Sequence, residues 1–182
     1  MDVVEAIRGR RTHKSFDPQP VPRETLEELF DLARFATNHH LTQPWRFRVL
    51  GPEALARLKE AAGPVEAPKL DRAPTLVVAS ARFTTALGTD LSLSPTQLQQ
   101  QQDEEDVCAT AAAIYAVLLG AHARGLASYW RTPAVLRTPE GRAAVGIPDG
   151  ERVLGLIHLG HPLTQPPLKE REPVERVLSF LD

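Results

Sequence analysis

The segment from Glu104 to Arg124 is apolar almost all the way round, and it constrains the fold more than any other part of the chain. Acidic residues stand at its start and basic residues with Gly125 at its end, the order that a helix favours. A helix without a polar face must be buried on several sides. A chain of 182 residues has the length for one domain, which we expect to span residues 1–182. We expect a second subunit to supply part of the cover for this helix.

The remaining sequence alternates between helical and strand patterns. Predicted helices run from Asp2 to Gly9 with Asp2 and Glu5 as a capping pair, from Pro22 to about Phe35, from Pro52 to Gly63, and from Pro139 to Gly146 with Thr138 as cap. Predicted strands lie around Phe47 and Val49 and over 75–80, 126–130 and 152–159, and an apolar periodic stretch follows Pro173. The run 75–80 is continuously apolar, which predicts a strand covered on both faces.

The region 81–102 is the least structured part of the predicted chain, with Gly88, Pro95 and a glutamine-rich run. One interpretation is a plain surface loop that leads into the long helix. The other is a mobile cover over a binding site, since long loops without structure of their own are often functional.

Charge and composition exclude several classes of partner. The formal net charge is −2 and the pI about 6.3, so no overall field attracts nucleic acid or an anionic membrane. The start of the chain lacks a basic segment followed by an apolar run, and no stretch reaches the roughly 20 apolar residues of a membrane span. We therefore expect a cytoplasmic protein. The single Cys108 cannot form an internal disulfide, and its alanine-rich surroundings predict a packing role.

A cationic turn at Arg10–Phe16 is followed some thirty residues later by the corner Gln43–Phe47. The turn offers three cations and two hydroxyls, a set that can surround a phosphate through charge-assisted hydrogen bonds. Taken alone, such a turn is more often a solvated surface. Motifs for serine hydrolases, P-loop nucleotide hydrolases and structural zinc are missing from the sequence. The adjacent His39 and His40 do not predict a metal site, because neighbouring histidines rarely face one ion and no acidic cluster adjoins them in sequence.

Together the two elements resemble the nitroreductase family of FMN-dependent oxidoreductases. The resemblance continues through Ala73-Pro74, the segments 125–130 and 154–160, and Lys169-x-Arg171-x-Pro173, and is greatest to the short bacterial branch of the family. It implies an α+β, nitroreductase-like three-layer fold with a mixed, largely antiparallel sheet flanked by helices, in a domain-intertwined homodimer. A doubly wound parallel sheet is rejected on this ground and because a glycine-rich strand-to-helix turn is missing.

The resemblance also implies roles for individual residues. Arg10 and Thr12 match residues that hold the FMN phosphate, with Arg11 and His13 in the same motif, and Lys169 and Arg171 close on that phosphate. Lys14 matches the basic residue that tunes the flavin ring near N1 and O2. Contacts from the partner subunit are implied for Asn38, His39 and His40, and contacts along the isoalloxazine for Trp130, Arg131 and Thr132. Lys69 is a weaker match to a second basic residue at the ring.

The expected function is electron transfer from NADH or NADPH to nitroaromatic, quinone or similar small acceptors by a ping-pong mechanism, with flavin sites at the subunit interface. Thr37, Leu41 and Arg131–Pro133 depart from the common family pattern and leave the acceptor and the nicotinamide donor open. Trp45 and Trp130 could equally be core residues. Two alternatives stay open: a flavin-binding or storage protein without turnover, and another flavin reaction, such as a dehydrogenation or a flavin-destroying oxidation.

Overall fold

Four antiparallel strands form the central sheet of the computed structural model, which describes residues 1–86 and 92–181. The strands are β1 (Trp45–Val49), β2 (Thr75–Arg82), β3 (Ala127–Arg131) and β4 (Glu151–Gly160), in the spatial order β1-β2-β4-β3. A parallel bridge between Thr12 and Ser128 adds the cationic turn Arg10–Phe16, from here on the cationic segment, to the outer edge of β3. The α+β class and the largely antiparallel sheet are thus confirmed.

Five helices surround this sheet in the described part of the chain. They are α1 (Val3–Gly9), α2 (Arg23–Ala33), α3 (Pro52–Leu70), α4 (Pro95–Ala123) and α5 (Pro139–Ala144), and short 3₁₀ turns cover His39–Leu41, Ala134–Arg137 and Val174–Arg176. The predicted caps are present. Asp2 and Glu5 cap α1 reciprocally, and the Thr138 hydroxyl accepts a hydrogen bond from the Gly141 N–H at 3.1 Å.

The sheet lies between two helical layers. On one face, Val78 and Leu156 pack with Leu58 and Leu70 of α3. On the other face, Val77 and Ile157 pack with residues of α2 and α4, among them Leu29, Ile114 and Leu118. All residues of β2 from Thr75 to Ala81 are buried, as predicted for a strand covered on both sides. This three-layer arrangement leaves β3 at an edge, beside the cationic segment.

Helix α4 is the predicted apolar core helix, but it begins at Pro95 rather than near Glu104. The interpretation of 81–102 as a loop is therefore wrong for 81–82, which end β2, and for 95–102, and residues 87–91 lie outside the described residues. Ser94 and Gln97 form a capping box, with Pro95 in the first helical turn, and these local signals start the helix within a polar run. By length and composition alone α4 could cross a membrane, yet half of its most apolar window is buried inside the fold, as in a core helix.

Three further expectations are corrected. Gly63 does interrupt α3, at φ 70° and ψ 176°, but a second helical segment opens with Pro64 and continues to Leu70. The apolar residues after Pro173 form only the turn Val174–Arg176 and are exposed. Cys108 is also exposed, so a packing role inside this chain is not supported.

Candidate functional site

A cleft of about 1120 Å³ lies at the β3 edge of the sheet. Its walls come from the end of α1, the cationic segment, one tyrosine each of α4 and β3, and the segment that follows β4. The lining residues are Ile7, Arg8, Arg10, Arg11, Thr12, Lys14, Ser15, Tyr115, Tyr129 and 164–171 except Glu170. Distant parts of the sequence therefore meet in one concave surface.

Backbone pairing explains how these segments meet. The His13 N–H donates to the Ser128 carbonyl at 3.1 Å, which fixes the cationic segment along β3. Phe16 forms an antiparallel bridge with Pro162, so the chain leaving β4 returns along the same segment. Because side chains alternate in an extended segment, Thr12 and Lys14 reach the cleft, and His13 points inward and is buried.

Six cations line the cleft, and its lining contains no carboxylate. They are Arg8, Arg10, Arg11, Lys14, Lys169 and Arg171. Within residues 1–86 and 92–181, the ion pairs of the structure involve none of these six. The sequence predicted that Arg10, Thr12, Lys169 and Arg171 would converge, and they share this surface. Such a surface is suited to a phosphate, because cation–phosphate hydrogen bonds are about twice as strong as neutral ones.

Two imidazoles lie behind the cationic segment. Burial is the largest influence on His13 and on His122 of α4, and it lowers the pKa of each from the usual 6.5; the nearby charges of Arg10 and Arg11 act in the same direction. Burial therefore favours the neutral form of both imidazoles. Gly9 allows the close approach of His122, since a Cβ at Gly9 would lie 2.6 Å from His122 Nε2. His13, predicted as a cofactor contact, supports the segment from behind and does not line the cleft.

Asn38, His39 and His40 lie outside the cleft lining of this chain. They belong to an exposed turn in which His40, Leu41 and Gln43 have positive φ values of 50°, 54° and 46°. Non-glycine residues in this region cost about 1–3 kcal/mol each and persist only where neighbouring contacts hold them. The structure does not bring these three residues together with the cations of the same chain. Their contact with the flavin of a partner subunit stays a prediction.

Side-chain contacts hold the strained turn from both ends. Asn38 Oδ1 accepts the Gln43 N–H at 3.0 Å, and Arg46 donates to the Gln43 carbonyl at 3.0 Å. His39 Nδ1 lies 2.7 Å from Glu105 Oε2 on α4. The turn is thus fastened to the core helix, and neither its shape nor these contacts was predicted from the sequence.

Trp130 has a structural role in this chain. It points to the side of α4, and its indole N–H donates to the Leu154 carbonyl at 3.0 Å. Gly155 makes room for it, since a Cβ there would lie 2.4 Å from Trp130 Nε1. Tyr129, its neighbour on the opposite face of β3, lines the cleft instead. Trp45 is likewise buried, in a cluster with Ala33 and residues of α4.

Arg131 and Lys69 are joined through Glu66 of α3. Arg131 forms a close ion pair with Glu66, and Lys69 Nζ lies 2.8 Å from the other carboxylate oxygen of Glu66. Burial lowers the pKa of Arg131. Thr132 is exposed, and none of the three predicted ring contacts Lys69, Arg131 and Thr132 lines the cleft. Glu66 was not predicted, because its partner Arg131 is distant in sequence.

His158 is a further residue that the sequence did not reveal. It is fully buried on β4, with its ring centroid 5.5 Å from that of Tyr129 and 6.5 Å from that of Phe16. Both ring nitrogens have no hydrogen-bond partner among the described residues. Burial, with smaller contributions from the charges of Arg131 and Arg72, lowers its pKa to about 4. His158 is therefore a neutral imidazole directly behind a cleft residue. The sequence feature that could have revealed His158 is a single polar residue within the apolar run 153–160 of β4.

Side chains able to hold a metal ion do not cluster in the described ranges: no group of three or more His, Cys, Asp and Glu residues has the required arrangement. The cleft therefore has the chemistry of an anion site with two aromatic walls.

Comparison with known proteins gives consistent matches along the chain. A model of the Nitroreductase family matches residues 7–64 and 56–161. The Bacillus subtilis protein YfhC, whose name describes an NAD(P)H nitroreductase, is 27% identical over an aligned region of 183 residues. The alignment covers 93% of this chain and 89% of YfhC.

Solved structures share the fold over its whole length. A nitroreductase-like protein from Bacillus cereus superposes with a TM-score of 0.83 at 22% identity, covering 100% of this chain and 97% of the other. A nitroreductase-type protein from Desulfovibrio desulfuricans, solved in complex with FMN, superposes with a TM-score of 0.76 at 20% identity, covering 100% and 98%.

Proposed function

Because the chain belongs to the Nitroreductase family, we propose that it is an oxidoreductase that uses FMN to pass electrons from NADH or NADPH to nitroaromatic, quinone or similar small acceptors. One observation carries this proposal. Six cations without ion-pair partners among the described residues meet the Thr12 hydroxyl in a cleft whose lining holds no carboxylate. The Desulfovibrio protein of the same fold binds FMN, and the name of YfhC describes NAD(P)H chemistry.

The residues in the cleft fit FMN. Arg10 and the Thr12 hydroxyl would hold the phosphate from the side of the cationic segment, and Lys169 and Arg171 from the side of the segment after β4. Arginine can bind two phosphate oxygens at once, and lysine adds a compact charge. Lys14 and the Tyr129 ring provide a cation and an aromatic surface further along the same cleft, as a flavin ring requires.

The chemistry needs little from the protein beyond placement and electrostatics. When bound, FMN supplies the hydride and electron transfer. Lys14 would stabilise negative charge that develops near N1 and O2, because an opposite charge close to the ring favours its anionic form. The proposed reaction requires no nucleophilic side chain from the protein. Because donor and acceptor would use the same open face, we propose that they bind in turn, which is a ping-pong mechanism.

We also propose a homodimer that completes the site. The segment after Pro173 exposes apolar side chains, with Val177 82% and Phe180 89% accessible. Val3 and Val4 of α1 are exposed as well, and large exposed apolar side chains that form a contiguous patch mark protein interfaces. A second copy of the chain would cover these residues and bring its own Asn38, His39 and His40 to the flavin. We place the dimer in the cytoplasm.

The absorbance spectrum of the purified protein, before and after anaerobic addition of NADPH, tests this proposal. We expect a flavin spectrum, released cofactor that is FMN and not FAD, and bleaching by NADPH that a quinone or nitroaromatic reverses. A colourless protein that remains so after addition of FMN contradicts the proposal. Bound FMN that NADH and NADPH cannot reduce would identify a flavin-binding protein without turnover. Consumption of the flavin itself under oxygen would identify a flavin-destroying oxidation.

A further inference from the structure

The positive charge in the cleft exceeds what one FMN phosphate can neutralise. Six cations line the cleft, while a phosphate monoester carries about −1.5 to −2 at pH 7. About four positive charges remain in a surface that holds no carboxylate. Crowded like charges raise the local potential and favour a second anion.

The surplus is concentrated at the end of α1. Arg10, Lys169 and Arg171 are assigned to the FMN phosphate and Lys14 to the ring. That leaves Arg8, and also Arg11, which was predicted as an FMN contact from its place in the same motif. Arg8 is exposed, and its guanidinium has no hydrogen bond or ion pair within residues 1–86 and 92–181.

Arg11 is held in place rather than free. Its Nη1 donates to the carbonyls of Gly9 and Arg8, so the guanidinium covers the end of α1, and its buried Nε has no partner among the described residues. A fixed cation loses less entropy when an anion binds beside it. This wall of the cleft therefore presents Arg8, a cation without side-chain hydrogen bonds or ion pairs among the described residues, and Arg11, a cation held by hydrogen bonds.

The cleft must also admit a second ligand. Its volume in one chain is about 1120 Å³, near the upper limit of the roughly 300–1,000 Å³ typical of small-molecule sites. The proposed function already requires such a ligand, because NADH or NADPH must bind next to the flavin to reduce it.

We propose that Arg8 and Arg11 form an anion subsite for the 2′-phosphate of NADPH, and that this subsite makes NADPH the preferred electron donor over NADH. The two donors share every other group, including the diphosphate, so only contacts at the 2′ position can tell them apart, and a cation there favours NADPH. In doubly wound dinucleotide-binding folds an arginine accommodates that phosphate, and an arginine offers the same charge and hydrogen-bond donors on this fold. The inference rests on the proposed function and adds the identity of the donor.

Steady-state turnover with each donor tests the subsite in the FMN-loaded protein. We expect kcat/KM to be at least about tenfold higher with NADPH than with NADH, a tenfold ratio being about 1.4 kcal/mol. The substitution Arg8→Ala should reduce this ratio by about tenfold, and Arg8→Lys should retain most of it. Raising the salt concentration should lower the ratio in the unsubstituted protein, because the interaction is exposed and screened.

A matched control is Arg137→Ala. Arg137 is exposed, lies outside the cleft, and has no side-chain hydrogen bond or ion pair in the described chain. The substitution removes one positive charge from the protein without affecting the subsite, and the ratio of kcat/KM for NADPH to that for NADH should stay unchanged.

Binding of adenosine 2′,5′-bisphosphate, compared with adenosine 5′-monophosphate by calorimetry, gives a readout without turnover. The bisphosphate should bind at least about tenfold more tightly, and Arg8→Ala should remove most of that difference. Equal use of the two donors, a preference for NADH, or an Arg8→Ala protein with an unchanged ratio would overturn the inference while FMN binding stands. Failure to bind FMN would instead refute the proposed function, and the calorimetry would still test the subsite alone.

Discussion

Asp106 Oδ2 accepts two hydrogen bonds from Thr84, one from its backbone N–H and one from its hydroxyl, each at 2.8 Å. Oδ1 of the same carboxylate accepts from the Thr42 hydroxyl and from Gln102 Nε2, each at 3.2 Å. Asp106 is 1% exposed, and in the described ranges no cation pairs with it. A buried carboxylate in core helix α4 therefore fastens both the strained turn at 39–43 and the chain that leaves β2.

Asp106→Asn should destabilise the protein. An amide has one acceptor oxygen, so its NH₂ group must face either the Thr84 donors or the donors of Thr42 and Gln102. An unsatisfied buried donor costs about 1–3 kcal/mol, and each kcal/mol corresponds to about 2–4 °C in Tm for a domain of this size. Thermal unfolding followed by circular dichroism measures the loss. Asp149→Asn is the control, because Asp149 is exposed and has no partner in the described chain. Equal Tm values for the two variants would contradict this role of Asp106.

The buried His158 predicts a specific dependence of stability on pH. Burial lowers its pKa to about 4 in the folded protein from the usual 6.5. Between these values the unfolded chain binds more protons, so this contribution to stability is complete above about pH 6.5 and is lost as the pH falls towards 4. Between pH 7.5 and pH 5 the loss should be about 2 kcal/mol.

His158→Leu isolates this contribution. Because both ring nitrogens lack partners, an apolar side chain of similar size should be tolerated at pH 7.5. Urea unfolding at the two pH values should show that the variant loses about 2 kcal/mol less than the unsubstituted protein on acidification. His13 and His122 also titrate, but they do so in both proteins. His161→Leu serves as the control, and an identical pH dependence in His158→Leu and the unsubstituted protein would exclude His158 as the source.

Local signals carried most of the fold prediction. The Asp2 and Thr138 caps and the buried run of β2 follow from short stretches of sequence, and each is present as expected. The start of α4 was missed because a glutamine-rich run shows no apolar periodicity. Its helix is fixed by Ser94 at the cap and by tertiary bonds such as Gln99 Nε2 to the Thr84 carbonyl at 2.8 Å.

The candidate site was also predicted only in part. Arg10 and Arg171 were predicted to share one phosphate, and both line the cleft, because Phe16 of the cationic segment pairs with Pro162 where the chain leaves β4. Trp130 was predicted as a ring contact and Tyr129 was not, yet Tyr129 lines the cleft of this chain, since alternation along a strand does not say which face meets the cleft. The contact of Trp130 with the flavin stays a prediction. The Glu66–Arg131 pair and the Asp106 contacts join residues far apart in sequence, and only the packing of helices on the sheet determines them.

The exposed C-terminal segment should control subunit association. Phe180→Glu places a charge on a side chain that is 89% exposed in one chain and that we expect a second copy to bury. Burying an unpaired charge is strongly unfavourable. Sedimentation should show a dimer for the unsubstituted protein and dissociation at higher concentrations for the variant, with loss of FMN. Glu175→Gln, in the same segment, should leave the dimer intact. A monomer that retains FMN would refute the shared site.

Arg171 and Lys14 should affect the flavin in different ways. Arg171→Ala removes a phosphate partner, and FMN binding should weaken by about 1.5–3 kcal/mol, the range for a hydrogen bond to a charged group. The reaction in the flavin-saturated variant should survive. Fluorescence titration of the apoprotein with FMN measures the change in affinity.

Lys14→Met should instead make the bound flavin harder to reduce. The reduced ring carries extra negative charge near N1, so removal of this cation disfavours the reduced form more than the oxidised form. The midpoint potential should fall, by about 30 mV for each 1.4 kcal/mol in a two-electron couple. Photoreduction of each saturated variant against a reference dye measures the potential. A shift in Arg171→Ala as large as that in Lys14→Met, or an unchanged potential in Lys14→Met, would show that the phosphate anchor and the ring cation are not separate.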